Sequence, residues 1–197
     1  MASTASPYGF RAVNELGGLP YAGSTRTFLI DPAGYAANIF NGSIVAINAS
    51  GYIELVTTNG DPASGAAFPA GTIGIFTGCS YVNAQGQQIW SQYYPSGTTG
   101  LVTCQVIDDD RAVFQVQADG PVSQAELGAN VFLANVQSTS TGSTTTGNSN
   151  IAVNGASITT TAAFRVVGFV SPVGDAKTDI LVKFNPGYHS YSNAVGI

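Results

Sequence analysis

The residues most able to do chemistry in this chain are few. Asp108-Asp109-Asp110 is its densest charge cluster, and hard cations such as Ca²⁺ favour carboxylate oxygens. A calcium loop, however, spaces its ligands and adds a distal Glu, whereas three consecutive Asp suit a solvated turn. A hydrolase would need a second carboxylate, from Glu54 or Glu126, and nothing in their spacing brings either to the Asp run. The single histidine, His189, lies in Pro186-Gly187-Tyr188-His189-Ser190-Tyr191, without a Gly-x-Ser-x-Gly or His-Glu-x-x-His pattern to supply a nucleophile or metal partners. That aromatic, polar stretch suits packing against a neighbouring subunit. The glycines of Gly71-Thr72-Ile73-Gly74-Ile75-Phe76-Thr77-Gly78 lack the Lys-Ser/Thr ending of a phosphate loop and sit among β-branched residues, so close strand packing or a bulge is expected. No catalytic, cofactor or metal site is expected, and the chain reads as non-enzymatic.

Trp90, Tyr93 and Tyr94 form the strongest aromatic group. Their first reading is core, then an interface, then a platform that stacks on sugars. Cys79 and Cys104 are expected as buried free thiols, because a chain without a secretory leader folds under reducing conditions. The sequons Asn41-Gly42-Ser43 and Asn48-Ala49-Ser50 are then turn residues.

The elements that must position these groups are β-strands. With 44% apolar residues and 24 glycines among 197, the composition suits short strands and tight turns. Ser43 to Ile47 and Tyr52 to Thr57 read as a hairpin with Ile53 and Leu55 on one face. Leu101 to Ile107 alternates, with Val102, Cys104 and Val106 on one side. After the Asp run, Arg111 to Ala118 turns Phe114, Val116 and Ala118 inward and Gln115 and Gln117 outward, which reads as a second hairpin. Further strand signals are Gly71 to Cys79, Gln88 to Tyr94, Asn130 to Val136, Phe164 to Val170 and Asp179 to Phe184, with the pattern resuming from Ile158 after a break. Ser123 to Leu127 is the one helical turn, with Ser123 as N-cap and Glu126 at the third position. The pattern predicts an all-β chain, an antiparallel β-sandwich or barrel that is jelly-roll-like or, alternatively, tulip-like.

Residues 1–24 are too punctuated by Gly and Pro for a helix and too apolar for a solvated tail; they are read as an extended N-terminal arm. Residues 25–197 are read as one β-rich domain, a size that a single core sustains. The Ser/Thr/Gly-rich run at 138–150 is read as a loop or mobile surface excursion within it.

Only six residues are Lys or Arg and eleven are Asp or Glu, 9% of the chain, for a net charge of −5. A soluble domain ordinarily devotes about a quarter of its residues to charge, so little repulsion separates copies. Scattered cations on an acidic chain argue against nucleic acid and anionic membranes as partners. No apolar run approaches the ~18 residues of a membrane span, and the N-terminus lacks a signal peptide's pattern.

The arm Ala5-Ser6-Pro7-Tyr8-Gly9-Phe10-Arg11-Ala12-Val13-Asn14 and the following Gly17-Gly18-Leu19-Pro20-Tyr21-Ala22-Gly23-Ser24-Thr25-Arg26 resemble the opening of small virion structural proteins of tailed bacteriophages. Ile75-Phe76-Thr77-Gly78-Cys79-Ser80-Tyr81, Phe114-Gln115-Val116-Gln117-Ala118-Asp119-Gly120 and Val182-Lys183-Phe184-Asn185 are similar to the same group. The resemblance implies a capsid cement, or head-decoration, protein made in the host cytoplasm. It would bind the outer surface of the icosahedral capsid after expansion and bridge adjacent major capsid protein subunits, itself a homotrimer or else a dimer. Tyr8, Phe10, Arg11, Val13, Leu16 and Tyr21 are then expected to carry capsid or subunit contact. The alternative is a carbohydrate-binding or adhesin module built on the aromatic group.

Overall fold

The computed structural model describes residues 4–155 and 159–197. The strand expected to resume at Ile158 lies outside them at its first residue. The fold is all-β, with strands β1 (Arg11–Glu15), β2 (Arg26–Ile30), β3 (Ile39–Phe40), β4 (Ile44–Ile47), β5 (Ile53–Leu55), β6 (Thr72–Val82), β7 (Gln88–Ser91), β8 (Tyr93–Tyr94), β9 (Val102–Ile107), β10 (Ala112–Gln117), β11 (Asn130–Val131), β12 (Phe164–Phe169) and β13 (Asp179–Phe184). Three short 3-10 turns complete the regular structure of the described residues.

One sheet runs β4-β5-β2-β9-β6-β7, and a further β4–β6 pairing closes its first five strands into a barrel. Its pairs are antiparallel except β2–β5. The barrel interior holds Ile30, Val45, Ile53, Ile73, Phe76, Val102, Cys104 and Val106. An open five-stranded antiparallel sheet, β1-β10-β13-β12-β11, packs on the barrel's flank. Between them lies a second core, where Ile44, Ala46, Ile75 and Ile107 meet Phe114, Val116, Phe164, Val166, Ile180 and Val182. Strands β4 and β6 thus contribute alternate residues to two cores. A strand buried on both faces has no polar face to alternate with, hence the near-continuous apolar runs Ile44–Ile47 and Ile73–Phe76.

The expected bulges fall at Gly74 and Gly78. Register shifts occur beside both residues, their φ values are 144° and 151°, and a side chain at Gly74 would overlap the Ile107 carbonyl. The β4–β5 hairpin forms as expected, with Ile53 and Leu55 buried. Asn48 closes its turn by accepting hydrogen bonds from the Ser50 and Tyr52 amides, the turn role expected of that sequon. Ser123 and Glu126 form the anticipated capping box.

Three expectations change. Both strands flanking the Asp run exist, but β9 belongs to the barrel and β10 to the open sheet. Residues 108–111 are therefore a crossing between layers, not a hairpin turn. Alternation shows that each strand has an apolar face; it carries no information on which core that face enters. Gln117, expected outward, is buried, its amide accepting from the Ser6 backbone N–H at 2.8 Å. The polar run 138–150 is a loop, but one pinned to the body: the Asn41 amide donates to the Gly147 carbonyl and the Ser149 amide to the Asn41 carbonyl. The loop is anchored at its start by Gln137, whose buried side chain accepts from Ile44 N–H and donates to the carbonyls of Ile44 and Val56 at 3.0 and 2.7 Å. Nothing in a Ser/Thr-rich stretch announces that docking, because backbone groups make it.

Candidate functional site: an uncharged barrel face

The residues expected to form a contact arm are drawn into the body. Residues 11–15 are an edge strand of the open sheet, paired with β10. After a bulge between Ala12 and Asn14, the chain turns at Gly17 and Gly18, both at positive φ, and returns so that Pro20 bridges to Asn14. Phe10 is 1% exposed, stacked on Phe164 at 4.8 Å between ring centroids and edge-on to Phe114 at 6.3 Å. It is a core residue, not a contact residue. The Gly- and Pro-punctuated sequence around it hides a five-residue strand whose apolar members are half-buried.

Tyr8 is also held within the chain. Its hydroxyl donates to Asp179 Oδ1 at 3.0 Å, the Arg11 guanidinium lies 4.8 Å from its ring centre, and burial followed by the Asp179 charge pushes its ionisation up. Tyr21 packs on the core's margin, donates to the Ser24 carbonyl, and has its pKa pushed up to about 12, by burial first and then by Asp109, Asp108 and Glu15. Val13 is half-buried, with its carbonyl accepting from the Tyr21 amide at 3.4 Å. Of the six, Arg11 and Leu16 remain exposed.

Two members of the acidic run are engaged within the chain. Asp108 Oδ2 pairs with Arg26 Nε at 3.0 Å and accepts from the Tyr191 hydroxyl at 2.8 Å, while Arg26 Nη1 donates to that same hydroxyl at 2.6 Å. Asp109 caps the Arg111 amide at 2.8 Å. Glu126 is engaged in its own capping box. Among the described residues no three His, Cys, Asp or Glu side chains gather to hold a metal ion, and no helix is long and apolar enough to cross a membrane.

His189 is buried in its own chain and not presented to a neighbour. Its ring stands edge-on to Phe184 and Tyr191 at 5.4 and 5.3 Å, and Nδ1 accepts from the Tyr191 amide at 3.3 Å. Burial lowers its pKa, opposed by Asp110, the Ile73 backbone, Asp108 and Asp109. Cys79 and Cys104 are free, buried thiols directly opposite one another on β6 and β9. Burial pushes both up to about 12, so neither supplies a thiolate near neutrality.

The aromatic group does not form a platform. Tyr94 is buried inside the barrel end, donating to the Thr98 carbonyl at 2.9 Å, and Tyr93 stacks on Phe40 at 5.6 Å. Trp90, expected first as core, is 57% exposed on β7. It lies over Gly78, where a side chain would collide with the indole. Cross-strand register puts Trp90 opposite Ser80, Ser80 opposite Thr103, and Thr103 opposite Leu29. Partners directly opposite share a face, so these four residues form one row across the outside of the barrel. Leu101, 69% exposed, and Val82, 54% exposed, flank it. Strand β7 ends the sheet and pairs only with β6, leaving backbone donors and acceptors on its free edge.

The sequence carries a signal for this face: from residue 62 to residue 107 there is no Asp, Glu, Lys, Arg or His. Soluble edge strands are usually blunted by charge, Pro or a bulge; Gln88-Ile89-Trp90-Ser91 has none of these. Compared with known proteins, the chain matches no family model, no curated protein and no solved structure.

Proposed function

We propose that this chain is a non-enzymatic structural protein of a virion, a capsid cement that binds the outer surface of an icosahedral phage shell and bridges adjacent major capsid protein subunits. The observation that carries the reading is the uncharged barrel face of Leu29, Thr103, Ser80 and Trp90, flanked by Leu101 and Val82 and bordered by the open edge of β7. Contiguous exposed apolar surface marks protein contact, and an aromatic anchor beside an unpaired strand suits pairing to a partner's edge. Burying such a face contributes about 25 cal/mol per Å² of apolar area, and weak joints repeated over a lattice reinforce one another through avidity. The resemblance of the N-terminal and later segments to virion structural proteins supplies the identity of the lattice. Contact is thereby reassigned from Phe10 and the N-terminal segment to the barrel.

The test is retention on expanded heads stripped of their own decoration. A Trp90→Asp, Leu101→Asp double variant should keep the parent's melting temperature within a few degrees yet lose retention on sedimented shells. Full occupancy by the folded variant overturns the proposal. Specific binding on a glycan array, abolished by Trp90→Ala in the folded protein, would favour the carbohydrate alternative instead.

A further inference from the structure

The outer face of the open sheet places two cations where no carboxylate of the described residues lies within ion-pair reach. Arg165 on β12 and Lys183 on β13 are directly opposite one another in register. Their neighbours in sequence, Phe164, Val166, Val182 and Phe184, are buried in the core, so both charged side chains point outward on the same face. Arg165 is exposed and Lys183 half-buried. Arg165 Nε donates to Asn130 Oδ1 at 3.2 Å, a neutral acceptor. Among the described residues the one ion pair within 4.0 Å is Arg26 with Asp108, so no carboxylate meets either cation. Like charges directly opposite on neighbouring strands are destabilising, and a chain with eleven acidic residues and six basic ones does not lack carboxylates to set beside them.

The surroundings are mixed: Asp179 shares the outward face of β13 with Lys183 and Leu181, its Oδ1 already accepting from the Tyr8 hydroxyl at 3.0 Å, and the neighbouring strands supply apolar side chains. Val113 on β10 precedes Phe114, the partner of Val182, and with Val167, Leu181, Leu16 and Asn14 it lines a shallow groove of about 190 Å³. Glu15 also lines the groove but stands outside ion-pair reach of both cations.

We propose that the outer face of the open sheet docks an acidic, partly apolar segment of a partner protein, its carboxylates bridging Arg165 and Lys183 and its apolar side chains entering the groove beside Val113 and Leu181. Charge complementarity selects the occupant. A nucleic acid fits less well: two cations on a molecule of net charge −5 cannot offset a polyanion's repulsion. This surface is separate from the uncharged barrel face and does not depend on its role.

The experiment uses the full chain and a short synthetic peptide alternating Glu and Leu, with its Gln–Leu counterpart as control, followed by amide chemical shifts at low salt. Perturbations should concentrate on β12 and β13 with the Glu peptide only. Lys183→Gln should weaken binding roughly two- to fivefold, the range of one exposed ion pair. Lys183→Glu should abolish it while raising the melting temperature by roughly 1–4 °C, because a repulsive cross-strand pair becomes an attractive one. Binding that survives Lys183→Glu, a lower melting temperature in that variant, perturbations centred elsewhere, or tighter binding of a single-stranded oligonucleotide than of the peptide would each overturn the proposal. None of these readouts involves the shell or Trp90, so failure here leaves the cementing reading standing, and the reverse.

Discussion

The barrel and the open sheet both bury apolar faces, yet their outer faces differ in kind. Strands β6 to β9 lie within a stretch that has no Asp, Glu, Lys, Arg or His, and their exposed row ends at Trp90 on an unpaired edge. The open sheet instead carries charge, with Arg165 and Lys183 side by side, Arg11 and Glu15 on its first strand and Asp179 at the start of β13. An uncharged face with exposed apolar groups gains by leaving water and selects by shape, whereas charged groups select by sign and lose strength with salt. A molecule carrying both can engage two chemically different surfaces. The core between the sheet and the barrel is aromatic, with Phe10, Phe114, Phe164 and Phe184 meeting at ring distances of 4.8 to 6.3 Å, while the barrel interior relies on aliphatic residues with Phe76 and Tyr94.

The sharpest way to break this contrast is Phe10→Ala. If residues 4–16 are integral to the sheet, removing that ring costs about 3–5 kcal/mol in denaturant unfolding; a detachable arm would lose almost nothing. Next in size is Gly74→Ala in the barrel wall. With φ at 144° and the Ile107 carbonyl against the new methyl, a loss of about 1–3 kcal/mol or more is expected, in the range of backbone strain, and its absence would show that the β6 bulge can relax.

A subtler effect lies where the layers meet, at His189. Its folded pKa lies below the ordinary 6.5, chiefly through burial. The unfolded chain therefore takes up the proton first: the contribution is fully present above pH 6.5 and is lost as pH falls from there through the folded value. The charge of Asp110, the Ile73 backbone and the charges of Asp108 and Asp109 moderate the shift. Melting temperature should decline below pH 6.5, and His189→Gln should flatten that decline; an unchanged slope would place the acid sensitivity elsewhere.

Much of the strand inventory could be read from period-2 alternation. Asp179 to Phe184 appears with those bounds, and its buried residues Ile180, Val182 and Phe184 are those on the face read as apolar. The capping pair Ser123 and Glu126 was legible for the same local reason. Phe10 was not: its apolar neighbours are separated by Gly and Pro, and the hydrogen bonds that make residues 11–15 a strand come from β10, about a hundred residues away in sequence. Trp90 was misplaced because alternation separates the two faces of β7 without telling which one meets a neighbour.

The amino-acid sequence by itself determined that the chain is all-β, where most strands run, and that charge is scarce, because each depends on composition or on contacts a few residues apart. The tertiary structure alone decided that β9 and β10 part into different layers, that the N-terminal segment joins the core, and that the uncharged stretch forms one face with Trp90 at its edge. Those outcomes depend on which apolar face finds which partner, a choice among long-range pairings to which local periodicity is blind.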